Sequence, residues 1–144
     1  MSAAVIQPAR RAWINYAAAT WSVLFAAPHI WWAMGIPAGF PGGERSVANH
    51  HLLYTTWRFW FDLLVILLSG VGIFVALALA RPGKSRVPRS ISRTLAWLAC
   101  GLLGLRGFGG MIIDGFSGPP WAQIFAIGSV LFGGVAWTSR RAAR

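Results

Sequence analysis

Four long apolar runs dominate the sequence, and short polar segments separate them. The runs cover residues 13–35, 57–80, 94–113 and 121–138. Each is close to the roughly 20 residues that an α-helix needs to cross a bilayer. None alternates apolar with polar residues, as a membrane β-strand would. The pattern therefore predicts an all-α fold, an integral membrane four-helix bundle formed by one transmembrane domain over residues 1–144.

Charge changes this picture by giving the bundle an orientation. Charged residues are 11% of the chain, whereas a soluble domain carries about a quarter, so a soluble domain is excluded. The net charge is +10, and ten of the thirteen basic residues lie before the first run, between the second and third, or after the fourth. Lys and Arg accumulate on the cytoplasmic side. We therefore expect a multi-pass plasma-membrane protein with both termini in the cytoplasm.

The same charges indicate membrane lipids as partners of the inner segments. Nucleic acid is not expected as a partner, because long uncharged runs separate the basic clusters. The first run is longer than the 7–15 apolar residues of a secretory signal, so we expect it to be retained. Cys100 is the only cysteine, which excludes an intramolecular disulfide and any cysteine-based metal or redox motif; a small buried hydrophobe is expected there.

Most tryptophans fall near the ends of the predicted spans, where an interfacial aromatic belt is expected. Trp31 and Trp32 belong to this group, whereas Trp21 lies deeper and is expected to pack between helices. His50 and His51 lie in the outer loop, in which residues 46–57 predict a short interfacial helix.

Ionisable residues in or beside the outer half of the spans are the candidate site residues. A charge inside a bilayer costs roughly 2.5–3.5 kcal/mol on insertion scales, so such residues usually mark a functional site. Trp32 and other tryptophans would line one polar pocket in which these residues could meet. The residues are His29, Arg58, Asp62, Arg106 and Asp114.

Several alternatives stay open for these residues. Arg106 would pair with Asp62, less favourably with Asp114, or extend along the helix to the outer interface. Asp62 lies one turn after Arg58 and could bridge both arginines. His29 follows Pro28, and it would bond to a neighbouring helix, bind a ligand or transfer a proton. A metal or haem needs further ligands that only the loop histidines offer, so neither a metal nor a cofactor is predicted.

Glycines surround Arg106 at positions 101, 104, 107, 109 and 110. Small residues let helices pack closely, as in GxxxG interfaces. The other interpretation is a break in the third span at residues 107–110, where freed backbone groups would line a polar cavity.

The segment His29-Ile30-Trp31-Trp32-Ala33-Met34-Gly35 resembles a signature at the end of the first span in a family of small four-span bacterial membrane proteins. This is the domain-of-unknown-function family numbered 3995. The aromatic stretch over 57–61 and the glycine-rich third span are similar as well. The resemblance implies a bacterial membrane protein and no established activity.

These observations favour a non-enzymatic protein that binds a small or lipidic ligand, or a partner subunit, through the outer polar pocket. Arg58 and Arg106 would hold an anionic group and Asp62 would balance them. The alternative is an intramembrane enzyme acting on an isoprenoid or quinone-like lipid, with Asp62 or Asp114 as proton donor and His29 as base. A third class is a transporter or channel subunit, which would need to oligomerise because one four-helix chain offers little room for a pore.

Overall fold

The computed structural model describes residues 7–36, 56–81, 86–115 and 120–141, and every regular element in these ranges is an α-helix. The four helices, in chain order, are α1 (Gln7–Ala33), α2 (Thr56–Ala80), α3 (Arg89–Asp114) and α4 (Trp121–Arg141). The prediction of an all-α fold is confirmed. The predicted interfacial helix, with His50 and His51, lies almost wholly outside the described residues.

Three of these helices are long and apolar enough to cross a membrane by length and composition. The qualifying segments are Phe59–Ala80 in α2, Arg89–Ile113 in α3 and Trp121–Ser139 in α4. The helix α1 has 27 residues, about 40 Å of helix, but it does not reach the same hydropathy. Asn15, Pro28 and His29 lower its mean hydropathy, because none of these side chains is strongly apolar.

The chain divides into two compact units, each of which is described by itself. The first combines Met1–Trp21 with Gly72–Arg144, and the second is Ser22–Val71. The core of the first unit consists mostly of alanine and valine, which lets helices approach closely. Its buried members are Ala18, Ala19, Val75, Ala76, Leu79, Ala96, Phe132, Val135 and Ala136.

Within the first unit, α3 and α4 pack along a line of small residues. A Cβ atom added at Gly107 would lie 2.5 Å from the backbone nitrogen of Ala126 and 2.9 Å from the carbonyl oxygen of Ala122. The backbones are therefore in direct contact at this point. The Ser129 hydroxyl of α4 also donates a hydrogen bond of 2.8 Å to the carbonyl oxygen of Cys100. Both contacts are typical of close membrane-helix packing.

The favoured interpretation of the glycine-rich segment, close helix packing, is confirmed. The helix α3 continues without interruption through residues 107–110, and Gly104, Gly107 and Gly110 lie against α4, so the alternative of a broken span is wrong.

One expectation about this unit is corrected. Cys100 is half-buried rather than fully enclosed, and its Sγ lies 3.6 Å from the Ser129 Oγ. The expectation for Trp21 holds: its ring packs edge-on against Phe132 with centroids 6.3 Å apart.

In the second unit, α1 ends in a defined cap. Gly35 has φ 80°, a left-handed conformation that favours glycine. The Gly35 amide donates to the Trp32 carbonyl, and the Ile36 amide donates to the Trp31 carbonyl, which is the Schellman pattern. The helix continues through Pro28, although proline supplies no amide for the backbone hydrogen bond at that turn. This cap fixes the last turn of α1, where the candidate site lies.

Candidate functional site

His29 and Trp32 lie on one face of α1, together with Phe25. Their spacing of four and three residues places them on successive turns of the same side. His29 is 8% exposed and Trp32 is 3% exposed. Trp32 is therefore not a member of the exposed aromatic belt, unlike Trp31, which is 52% exposed. Its indole packs edge-on against the imidazole of His29, with ring centroids 4.8 Å apart.

Asp62 of α2 is the hydrogen-bond partner of His29. The Nδ1 atom of His29 lies 2.8 Å from Oδ1 of Asp62, and this is an ion pair by distance when the imidazole is protonated. The two side chains are 11% and 1% exposed, respectively. A buried, charge-assisted hydrogen bond of this length links α1 to α2 inside the second unit.

The bond determines which atoms of the pair are available to other groups. An ionised carboxylate only accepts hydrogen bonds, so Nδ1 of His29 donates to Asp62 in that state. The Nε2 atom of a neutral imidazole is then an acceptor. A carboxylate bonded to one ring nitrogen thus orients the ring and determines which nitrogen carries the proton.

The second carboxylate oxygen, Oδ2 of Asp62, is buried and accepts no hydrogen bond from any residue that the structure describes. A buried acceptor that lacks a donor costs about 1–3 kcal/mol. This oxygen therefore favours a bound group that donates a hydrogen bond. With Nε2 of His29, it gives the pair two acceptor positions.

Aromatic rings surround the imidazole on several sides. The centroid of the His29 ring lies 5.4 Å from that of Phe25 and 6.1 Å from that of Phe61, in addition to the contact with Trp32. The Phe61 ring lies 6.5 Å from that of Trp57, which is 66% exposed. The surroundings of the His29 imidazole are therefore apolar and aromatic, and they suit a ring or an unsaturated chain.

Three predicted site residues remain: Arg58, Asp114 and Arg106. The side chains of Arg58 and Asp114 lie outside the described part of the structure, although both positions are helical. Arg106 belongs to the first unit, where its guanidinium lies over the ring of Phe125 with Cζ 5.6 Å from the centroid. Its pairing with Asp62 stays a prediction. Among the predicted site residues, the structure thus joins His29, Asp62 and Trp32.

The described residues contain no group of three or more His, Cys, Asp or Glu side chains that could hold a metal ion. His29 and Asp62 would supply two ligands at most, fewer than the three or four protein ligands of a typical zinc site.

No protein-family model, curated protein or solved structure matches the chain. The resemblance to the four-span family numbered 3995 therefore stays a prediction. The functional argument depends on the residues of the site and their geometry.

Sequence reasoning missed the partner of His29 and the role of the phenylalanines. The sequence favours the arginines as partners of Asp62, since an opposite charge is the usual partner of a carboxylate. Position along the helices could have indicated the pair. His29 lies four residues before Ala33, the last residue of α1, and Asp62 lies six residues after Thr56, the first residue of α2, so both lie near the segment of chain that joins the two helices. The aromatic residues Phe25 and Phe61 carried no separate signal among so many apolar neighbours.

Proposed function

We propose that the chain is a four-span protein of the bacterial plasma membrane with both termini in the cytoplasm. Three helices have the required length and hydropathy, and α1 exposes large apolar side chains along its length, among them Trp13, Leu24 and Trp31. A helix of about 40 Å also exceeds the roughly 30 Å of hydrocarbon that it must cross. The basic segments at both termini and between α2 and α3 support this orientation.

This topology predicts which sites an impermeant reagent reaches in intact cells. In a Cys100→Ser background, a cysteine introduced at Ser117 should react with a charged maleimide from outside. A cysteine introduced at Ser90 should react only after permeabilisation. The reverse pattern would contradict the orientation.

The His29–Asp62 pair supports a ligand-binding function in this membrane protein. Its available atoms, Nε2 of His29 and Oδ2 of Asp62, both accept hydrogen bonds when Asp62 is ionised and His29 is neutral. Three aromatic rings line the imidazole. We infer a small or lipidic ligand that has a hydroxyl group on a flat, apolar body. The buried hydrogen bond between His29 and Asp62 is the observation that carries this function.

Two probes that differ by one donor test the assignment. 4-Dodecylphenol has a hydroxyl donor, whereas 4-dodecylanisole has the same ring and chain without it. We expect the phenol, and not the anisole, to raise the melting temperature of the detergent-purified protein. A hydrogen bond to a charged group contributes about 1.5–3 kcal/mol, so Asp62→Asn should weaken phenol binding roughly 10- to 100-fold.

Ser69→Ala is the matched control for this experiment, because Ser69 is a buried polar residue on the same helix, two turns from Asp62. It should leave the phenol-induced shift unchanged, and every shift is measured against the same variant without ligand. Equal shifts for phenol and anisole would contradict recognition of the donor.

The same pair supports acid–base catalysis as a second candidate function. Asp62 holds the imidazole so that Nε2 can take a proton from a substrate, and the carboxylate stabilises the resulting imidazolium. An isoprenoid or quinone-like lipid would suit the aromatic surroundings. Conversion of such a lipid by the wild-type protein and not by His29→Gln would favour an enzyme. Unchanged recovery of the lipids that bind would favour ligand binding alone.

A further inference from the structure

Arg106 is a charged residue for which the proposed ligand site at His29 and Asp62 gives no role. It lies within the apolar segment Arg89–Ile113 of α3 and is exposed. Leu102 and Ile113, which lie on the same face of α3 as Arg106, are 67% and 83% exposed, so this face presents large apolar side chains outward. Asp62, the one acidic residue whose side chain the structure describes, is paired with His29.

The Arg106 side chain extends toward the C-terminal end of α3. Side chains on a helix normally tilt toward its N-terminus. The Nη1 atom of Arg106 instead lies 3.4 Å from the position that a Cβ of Gly110 would occupy, one turn toward the C-terminus of α3. Because Gly110 has no side chain, the guanidinium can extend along the helix in this direction.

This direction brings the guanidinium close to the end of the helix. Gly110 lies four residues, or about 6 Å, before the last residue of α3, and Phe125 lies four residues after the first residue of α4. The Cζ atom of the guanidinium lies over the Phe125 ring, 5.6 Å from its centroid. A cation–π contact of this kind satisfies no hydrogen-bond acceptor, so the guanidinium still has N–H donors for an anion. A planar fork of this kind matches the two oxygens of a phosphate.

We propose that Arg106, oriented by Phe125 and the gap at Gly110, binds the phosphate of a phospholipid headgroup at this end of α3. An arginine in hydrocarbon reduces its desolvation cost by reaching the interface, where lipid phosphates are the abundant anions. The inference depends on the proposed insertion of α3 in the membrane, and it is independent of a ligand at His29.

The test is a solid-state NMR measurement of ¹⁵N–³¹P dipolar coupling in protein labelled with ¹⁵N-arginine. The Arg106 signal is assigned by its disappearance in Arg106→Gln. In phosphatidylglycerol bilayers in phosphate-free buffer, this signal should be dephased by phosphorus within about 4 Å. In phosphate-free glycolipid bilayers with added inorganic phosphate, it should not be dephased.

Two phenylalanine variants test the positioning of the guanidinium. Phe125→Leu removes the cation–π contact and should lower phosphate occupancy about threefold. Phe108→Leu, at a lipid-exposed phenylalanine of α3, should leave occupancy unchanged. Absence of dephasing at Arg106 in phosphatidylglycerol would overturn the proposal, as would dephasing with inorganic phosphate alone. Dephasing of the other arginine signals reports insertion in the same sample, so failure of this site is distinguishable from failure of the membrane assignment.

Discussion

His29→Leu is expected to lower the free energy of unfolding by about 1.5–3 kcal/mol, the usual contribution of a hydrogen bond to a charged group. The carboxyl group of Asp62 is 1% exposed and would lose the hydrogen bond to its Oδ1 atom. Its Oδ2 atom already receives no hydrogen bond from the described residues. Both oxygens would then be buried without a donor. Unfolding in a titration with sodium dodecyl sulfate measures the loss.

The double variant His29→Leu/Asp62→Leu separates the stability of the pair from its function. Replacing both members of a buried pair by apolar residues is often neutral or stabilising. We therefore expect the double variant to unfold close to the wild-type midpoint while it no longer binds the alkylphenol. If His29→Leu lowers the free energy of unfolding no more than the control Ser69→Ala does, the hydrogen bond between His29 and Asp62 does not stabilise the protein as expected.

Gly107→Ala is expected to destabilise the packing of α3 against α4 by about 1–3 kcal/mol, the usual cost of overpacking. The added Cβ would meet the backbone of Ala122 and Ala126, which cannot rotate away as a side chain can. The helices would have to separate along the contact. Gly101→Ala is the matched control, because nothing lies within 4 Å of a Cβ at that position.

The control variant Gly101→Ala should change stability in the opposite direction. Alanine favours helix over glycine by about 0.5–1 kcal/mol, so Gly101→Ala should be neutral or slightly stabilising. The two variants make the same chemical change in the same helix, and they differ in what the new methyl group meets. Equal unfolding midpoints in sodium dodecyl sulfate would contradict the close approach of the α3 and α4 backbones.

The helices were largely predictable because long apolar runs are a strong signal. The second run, 57–80, corresponds to Thr56–Ala80 almost residue for residue. The other bounds differ where polar residues extend a helix beyond its apolar run. The helix α1 begins at Gln7, six residues before the first run, and α4 continues to Arg141, three residues beyond the fourth. Hydropathy detects the apolar segment, whereas basic residues such as Arg10 and Arg11 are also good helix formers.

The site was less predictable because it depends on which helix faces meet. The sequence placed His29 and Asp62 in the same half of the spans, and it offered a neighbouring helix as the partner of His29. It favoured the arginines for Asp62, since charge pairing is evident from sequence and the facing of two helices is not. The close approach at Gly107 could not be predicted for the same reason. Glycine enrichment indicated close packing, but which glycine contacts backbone depends on how α3 and α4 face each other.

The most direct test of the central claim is ¹⁵N NMR of the His29 ring nitrogens during titration with 4-dodecylphenol. The chain has three histidines, and His29→Gln assigns the relevant signals. A hydrogen bond donated to Nε2 should shift its resonance in the wild-type protein. The shift should be absent with 4-dodecylanisole and weakened in Asp62→Asn. A His29 signal that the phenol leaves unchanged, or that both probes shift equally, would contradict a ligand site at the His29–Asp62 pair.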